Sequence, residues 1–138
     1  MTEIKKVGTA VSLNSRDAFK TAIKASGFDL IADEPVSIGG TDEGPTPGDY
    51  LCVALASCKT ITLRMYVQRK QWEVGEIAVD VSLAKVDGSA APTHIFNCEV
   101  SVSNPITDEQ KQRLVQIAKA CPISKLLSKC AEVVTVIK

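Results

Sequence analysis

From Thr46 to Lys70 nothing in the chain breaks a helix, and no other stretch constrains the fold as strongly. Thr46 is a good N-cap, Pro47 suits the first helical position, and Asp49 stands three residues after the cap. Running to about Lys70, such a helix is about 36 Å long at ~1.5 Å per residue. Leu51, Ala54, Leu55, Cys58, Ile61, Thr62, Met65 and Tyr66 recur at helical spacing and predict one apolar seam. Val53, Ala56, Leu63 and Val67 make other sides apolar as well. A helix apolar on more than one side lies at the centre of its fold or is shared with a second subunit.

Around this rod the expected elements are short. Strands are expected over 4–12 and 17–25, either side of the turn-rich Asn14-Ser15-Arg16-Asp17, and over Phe28–Ala32. Asp33-Glu34-Pro35, Gly39-Gly40 and Gly44-Pro45 then form a loop. Beyond the helix, Ile77, Val79, Val81 and Leu83 alternate with polar or small residues, as do Phe96, Cys98, Val100 and Val102. Asp87-Gly88 with Ser89 to Pro92 joins them as a hairpin. Thr107 and Gln110 make a capping box for a second helix, with Leu114, Ile117, Ala118 and Cys121 on one face. Pro122 ends or kinks it, a short turn spans Ser124 to Lys129, and Val133 to Ile137 is expected to close as a strand. The order βββ-α-ββ-α-β describes an α+β fold, one domain over 1–138, with a sheet wrapped against the long helix.

A chain of 138 residues buries enough surface to need neither a disulfide nor a metal. Sixteen basic and sixteen acidic side chains balance, which removes the electrostatic case for nucleic acid. The opening Met1-Thr2-Glu3-Ile4-Lys5-Lys6 has no apolar signal core, and no apolar stretch approaches membrane-spanning length, so a cytoplasmic setting without a membrane partner is expected. Five cysteines without a secretion signal argue against a disulfide framework. No C-x-x-C pair occurs and His94 is the single histidine, so neither a metal site nor a cofactor is expected. Cys98 is expected to face the core with Phe96 and Val100, and Cys52 and Cys130 read as packing residues. His94 reads as a polar strand end, and Trp72 as the anchor of the long helix's end.

The chemistry rests on Cys58, built into the long helix, and Cys121, before Pro122. If they meet, the chain has a nucleophile and a resolving thiol; if not, it has two packing cysteines. Burial disfavours the thiolate, the reactive form, so a cation must offset it. The candidates are Arg16, Arg64 and the exposed-looking Lys59. Arg64 lies six residues from Cys58, about 600° round the helix, and reads as a surface or interface ion pair. Arg16 is either a solvated turn charge or a cation folded over a pocket.

Asp33-Glu34-Pro35, Gly39-Gly40, Gly44-Pro45-Thr46-Pro47, Ala54 to Cys58, Thr62-Leu63-Arg64-Met65-Tyr66, Arg69-Lys70 and Ile117 to Pro122, in this order, resemble the OsmC/Ohr family. That family comprises osmotically induced and organic-hydroperoxide-resistance proteins, and the likeness is to its OsmC-like branch. The resemblance implies an intertwined homodimer acting as a thiol peroxidase on organic hydroperoxides. It implies Cys58 as the peroxidatic cysteine, Cys121 as the resolving one, and Arg16 as the arginine that neutralises the thiolate and orients the peroxide. Phe28, Tyr50, Leu55 and Ile61 are expected around an apolar substrate pocket, and a lipoyl or other small dithiol as the reductant. Where the family places a glutamate after the loop proline, this chain has Gly48, with Asp49 one residue later as a possible support for Arg16 or simply a helix cap. The alternative is a non-enzymatic dimer that binds small molecules or senses redox state.

Overall fold

The computed structural model describes residues 3–16, 18–88, 92–129 and 131–138. Asp17, the Ser89–Ala91 part of the expected hairpin turn, and Cys130 lie outside the described residues. Two compact units result, Met1–Tyr50 and Leu51–Lys138.

The first unit is an antiparallel sheet of β1 (Val11–Leu13), β2 (Thr21–Ala25) and β3 (Phe28–Ala32), in that order. β3 has the expected bounds, but the strands expected over 4–12 and 17–25 are shorter. Val11 pairs with Lys24, so residues before Ala10 would have to pair beyond Ala25. There β2 has already turned at Ser26-Gly27, both with positive φ, and Ile4 and Val7 stay exposed. Residues 14–16 and 18–20 do not pair, because the Asn14 amide donates to the carbonyls of Ala18 and Lys20 at 3.1 and 3.0 Å.

The Asp33-to-Gly44 loop is organised by one buried carboxylate. Asp33 accepts from the amides of Glu34 (2.7 Å), Thr41 and Glu43, and from the Thr41 hydroxyl at 2.5 Å. That hydroxyl bond, with the three amides, holds the carboxyl down to about 2 from its ordinary 3.8, against the upward push of burial. Gly39 closes a single 3₁₀ turn (Val36–Ile38) at φ +100°, and Gly40 passes so close to Glu34 that a Cβ would overlap its carbonyl.

The long helix, α1, runs Pro47–Lys70 as expected. Thr46 and Asp49 form a reciprocal cap: the Asp49 amide donates to the Thr46 hydroxyl at 3.1 Å and the Thr46 amide to the Asp49 carboxylate at 2.9 Å. At its far end Gln71 takes the left-handed conformation, while the amides of Gln71 and Trp72 donate to the carbonyls of Gln68 and Val67. This is a Schellman stop with glutamine where glycine is usual.

The second unit adds the hairpin β4 (Ile77–Lys85) and β5 (His94–Val102), then α2 (Asp108–Lys119) and α3 (Pro122–Leu127). Register pairs Ile77 with Val102, Val79 with Val100, Val81 with Cys98 and Leu83 with Phe96, which gathers the apolar set on one face. The capping box of Thr107 and Gln110 opens α2. Leu63, Tyr66, Val67, Val74, Leu114 and Ala118 form the core, with Trp72 packed against it edge-on to Tyr66. Arg64, expected in an ion pair, instead donates to the Gly75 carbonyl at 2.6 Å and fastens the Trp72–Glu76 connection to α1. Contrary to expectation, α1 is long and apolar enough to cross a membrane by length and composition, as a packed core helix can also be.

Three further expectations are corrected. The short helix α3 begins at Pro122 and takes in Ser124 to Leu127 of the expected turn, because proline is tolerated at a first helical position. Val133 to Ile137 is not a strand: β4 and β5 pair only with each other among the described residues, and strand-forming side chains make no ladder without a partner. The observed order is therefore βββ-α-ββ-α-α. Cys98 is exposed rather than buried, since the middle of this hairpin face is incompletely covered.

Two measurements test the Asp33 loop. Gly40→Ala is expected to cost about 2–3 kcal/mol in denaturant unfolding, because the added methyl meets backbone that cannot give way. Asp33 binds its proton less readily folded than unfolded, so its stabilisation is complete above pH 3.8 and is lost as pH falls towards about 2. Asp33→Asn is expected to be less stable at pH 7 and to lose part of the acid sensitivity between those limits in a pH series of melts.

Candidate active site

α1 has two working faces. Leu55, Lys59, Leu63, Tyr66 and Val67 are its buried residues, at spacings of four, four, three and one, and pack inward. The expected seam is split: Leu55 and Tyr66 turn inward, whereas Ala54, Cys58, Ile61, Thr62 and Met65 line a groove of about 490 Å³ whose other wall is Pro122 and Ile123 of α3. Met65 and Ile61 are 66% and 55% exposed there, so the groove is apolar and open.

Cys121 sits at the junction of α2 and α3, where local sequence dictates a turn. α2 ends at Lys119, and Cys121 caps α3 with its Sγ accepting the Ser124 amide at 3.4 Å. The Cys121 thiol is fully buried and lies near enough to the half-buried Cys58 thiol for Cys58 to weigh on its ionisation, and both are free. The structure thus brings together the two sulfurs singled out from sequence. Burial pushes the Cys121 thiol up from its ordinary 9.0, and Cys58 pushes the same way; the Ser124 amide and the charge of Lys59 oppose them without prevailing. Cys121 is therefore held in its protonated form.

Lys59, named from sequence as one candidate cation, departs from expectation in its burial. Expected to be exposed, it is only 5% exposed, and its Nζ donates to the Ala118 carbonyl at 2.7 Å. The signal was present: Lys59 stands midway between Leu55 and Leu63 on the i, i+4 row that packs inward. Leu55 and Lys59 line a second cavity, of about 440 Å³, with Phe96, Cys98, Val115 and Ser124; Leu55 is not among the residues of the Cys58 groove, whereas Ile61 is.

The remaining candidates belong to the first unit. Arg16 is exposed, in the turn organised by Asn14, at φ +90°, its amide donating to Asn14 Oδ1 at 3.3 Å. Asp49 gives one carboxylate oxygen to the α1 cap. Phe28 is exposed, and the Tyr50 hydroxyl donates to the Ile31 carbonyl at 2.6 Å. Among the described residues no three His, Cys, Asp or Glu side chains gather as a metal site needs.

The model of the family described as OsmC-like protein matches residues 40–136. The OsmC-like protein of Mycoplasma pneumoniae superposes with a TM-score of 0.74 at 16% identity, over 91% of this chain and 89% of that one. The organic hydroperoxide resistance protein OhrB of Bacillus subtilis gives 0.58 at 20% identity, over 87% and 89%. An OsmC-like protein of unknown function from Vibrio cholerae gives 0.68 at 13%, over 88% and 93%. At these identities the likeness establishes the fold. No curated protein matches the sequence.

A mild thiol oxidant such as diamide is expected to join Cys58 to Cys121 ahead of any pairing with Cys52 or Cys98. Peptide mapping by mass spectrometry reads the pairing, and a dominant Cys52 or Cys98 link would contradict the nearness of the two sulfurs.

Proposed function

This chain belongs to the OsmC-like family, and we propose that within it the protein is a thiol-dependent peroxidase that reduces organic hydroperoxides. The observation that carries this reading is the nearness of Cys58 and Cys121 beside an apolar groove. Cys58 lines the open groove while Cys121 is buried behind it, so Cys58 is the sulfur that attacks. Its thiolate takes the distal peroxide oxygen, the O–O bond breaks, and the alkoxide leaves to be protonated to an alcohol. Cys58 sulfenic acid then condenses with Cys121, releasing water and forming a disulfide. A dithiol such as a lipoyl group reopens it by exchange. The apolar walls given by Ile61, Met65 and Ile123 favour an organic peroxide over hydrogen peroxide.

Arg16 is assigned the role of the cation that steadies the Cys58 thiolate and the peroxide, since guanidinium stays charged and offers a fixed fork of donors. The working form is a cytoplasmic homodimer: Leu51, Val53, Ile61 and Met65 leave much of α1 apolar and open, as a face shared with a second copy would be. A second reading, a non-enzymatic dimer that binds small molecules or senses redox state, is favoured by Gly48 standing where the family's glutamate is placed and by Asp49 serving the cap.

With cumene hydroperoxide and a dithiol, the protein is expected to turn over many equivalents, followed by peroxide loss. Cys58→Ser should fall to the uncatalysed background. Cys121→Ser should accumulate a sulfenic acid that dimedone traps, and Arg16→Ala should slow peroxide reduction about a hundredfold or more. Thiols left untouched by hydroperoxide, with saturable binding of an apolar ligand, would select the second reading.

A further inference from the structure

Lys59 is the one buried charged side chain among the described residues of the Leu51–Lys138 unit. The ion pairs described are Lys20–Glu43, Lys24–Asp29 and Asp108–Lys111, and Lys59 is in none of them. A buried charge is costly unless hydrogen bonds or an opposite charge compensate it. Lys59 has the Ala118 carbonyl at 2.7 Å, and that same carbonyl accepts the Cys121 amide at 3.5 Å. One oxygen thus ties Lys59 on α1 to the backbone of Cys121. The charge of Lys59 also acts on the Cys121 thiol, as does Cys58, the residue preceding Lys59 in α1.

We propose that Lys59 is a positioning residue for the resolving sulfur: it pins the Ala118–Cys121 turn to α1 and stabilises the Cys121 thiolate whenever that thiolate forms. The step assignments rest on the peroxidase reading above. In the first, Cys121 thiolate attacks the sulfur of Cys58 sulfenic acid; the S–S bond forms, the S–O bond breaks, and hydroxide leaves and is protonated to water. In the second, one thiolate of the dithiol reductant attacks Cys58 Sγ, and the S–S electron pair returns to Cys121. The second thiol of the reductant then displaces Cys58, leaving the reductant as its cyclic disulfide. Both steps place negative charge on a sulfur that burial disfavours as an anion, and Lys59 is the cation acting there. The titratable groups acting on Cys121 are Cys58 and Lys59 from α1; Lys119 of α2 and Lys125 of α3 are exposed.

Two readouts test this. After one equivalent of cumene hydroperoxide, the ratio of sulfenic acid decay to sulfenic acid formation should fall about tenfold in Lys59→Met and recover in Lys59→Arg, as loss of a neighbouring charge shifts a thiol by about one unit. Independently of peroxide, the thiolate absorbance of Cys58→Ser minus that of Cys58→Ser/Cys121→Ser isolates the Cys121 titration. Adding Lys59→Met to both should move it to higher pH by about one unit, which loss of packing alone would not do. If Lys59→Met does not fold, Lys59→Gln against Lys59→Arg makes the same comparison. An unmoved titration in the charge-removing variant would overturn the proposal. A parent protein that forms no sulfenic acid would refute the peroxidase reading, while a shifted titration would still uphold Lys59 as the cation of Cys121.

Discussion

The carbonyl of Ala118 is a small hinge on which the second unit turns. As α2 runs out, its last carbonyls lose their helical partners, and this one accepts both the Lys59 ammonium and the amide of Cys121. Because Lys59 and Cys58 are neighbours on α1, tying the first to the end of α2 brings the second towards the turn that carries Cys121. Core packing by Leu63, Val67, Leu114 and Ala118 holds the two helices together. Packing is non-directional, however; the hydrogen bond supplies direction, and sulfur chemistry needs direction.

In the first unit a charge is made harmless by satisfying it. Asp33 faces three amides and a hydroxyl, so a buried carboxylate becomes the organising centre of a loop that would otherwise lack regular structure. Much of the Asp-Glu-Pro and Gly-Gly signature that first suggested a family has this local role: Asp33 accepts, Pro35 opens the 3₁₀ turn, and Gly40 allows backbone to approach backbone.

Sequence disclosed most where structure is local. Both bounds of α1 and the Thr107 cap were legible because capping depends on residues within one turn. The approach of Cys58 to Cys121 was open in sequence, where helix patterning placed each thiol but not the distance between them. The termini were misread for the opposite reason: 4–10 and Val133–Ile137 carry strand-forming side chains, and strands exist only where a partner offers a ladder. The burial of Lys59 escaped because lysine is so seldom buried that its residue type outweighed its position on the inward row.

Met65 gives the groove a chemistry of its own. Its thioether is largely open to solvent on the wall shared with Cys58. An oxidant lodged there meets two kinds of sulfur, one recycled by thiols and one that becomes a sulfoxide. That sulfoxide is polar, and it would sit on an otherwise apolar wall of the groove. Under the peroxidase reading, such a surface would also age under its own substrates, and repeated exposure would erode selectivity before it silenced the cysteine.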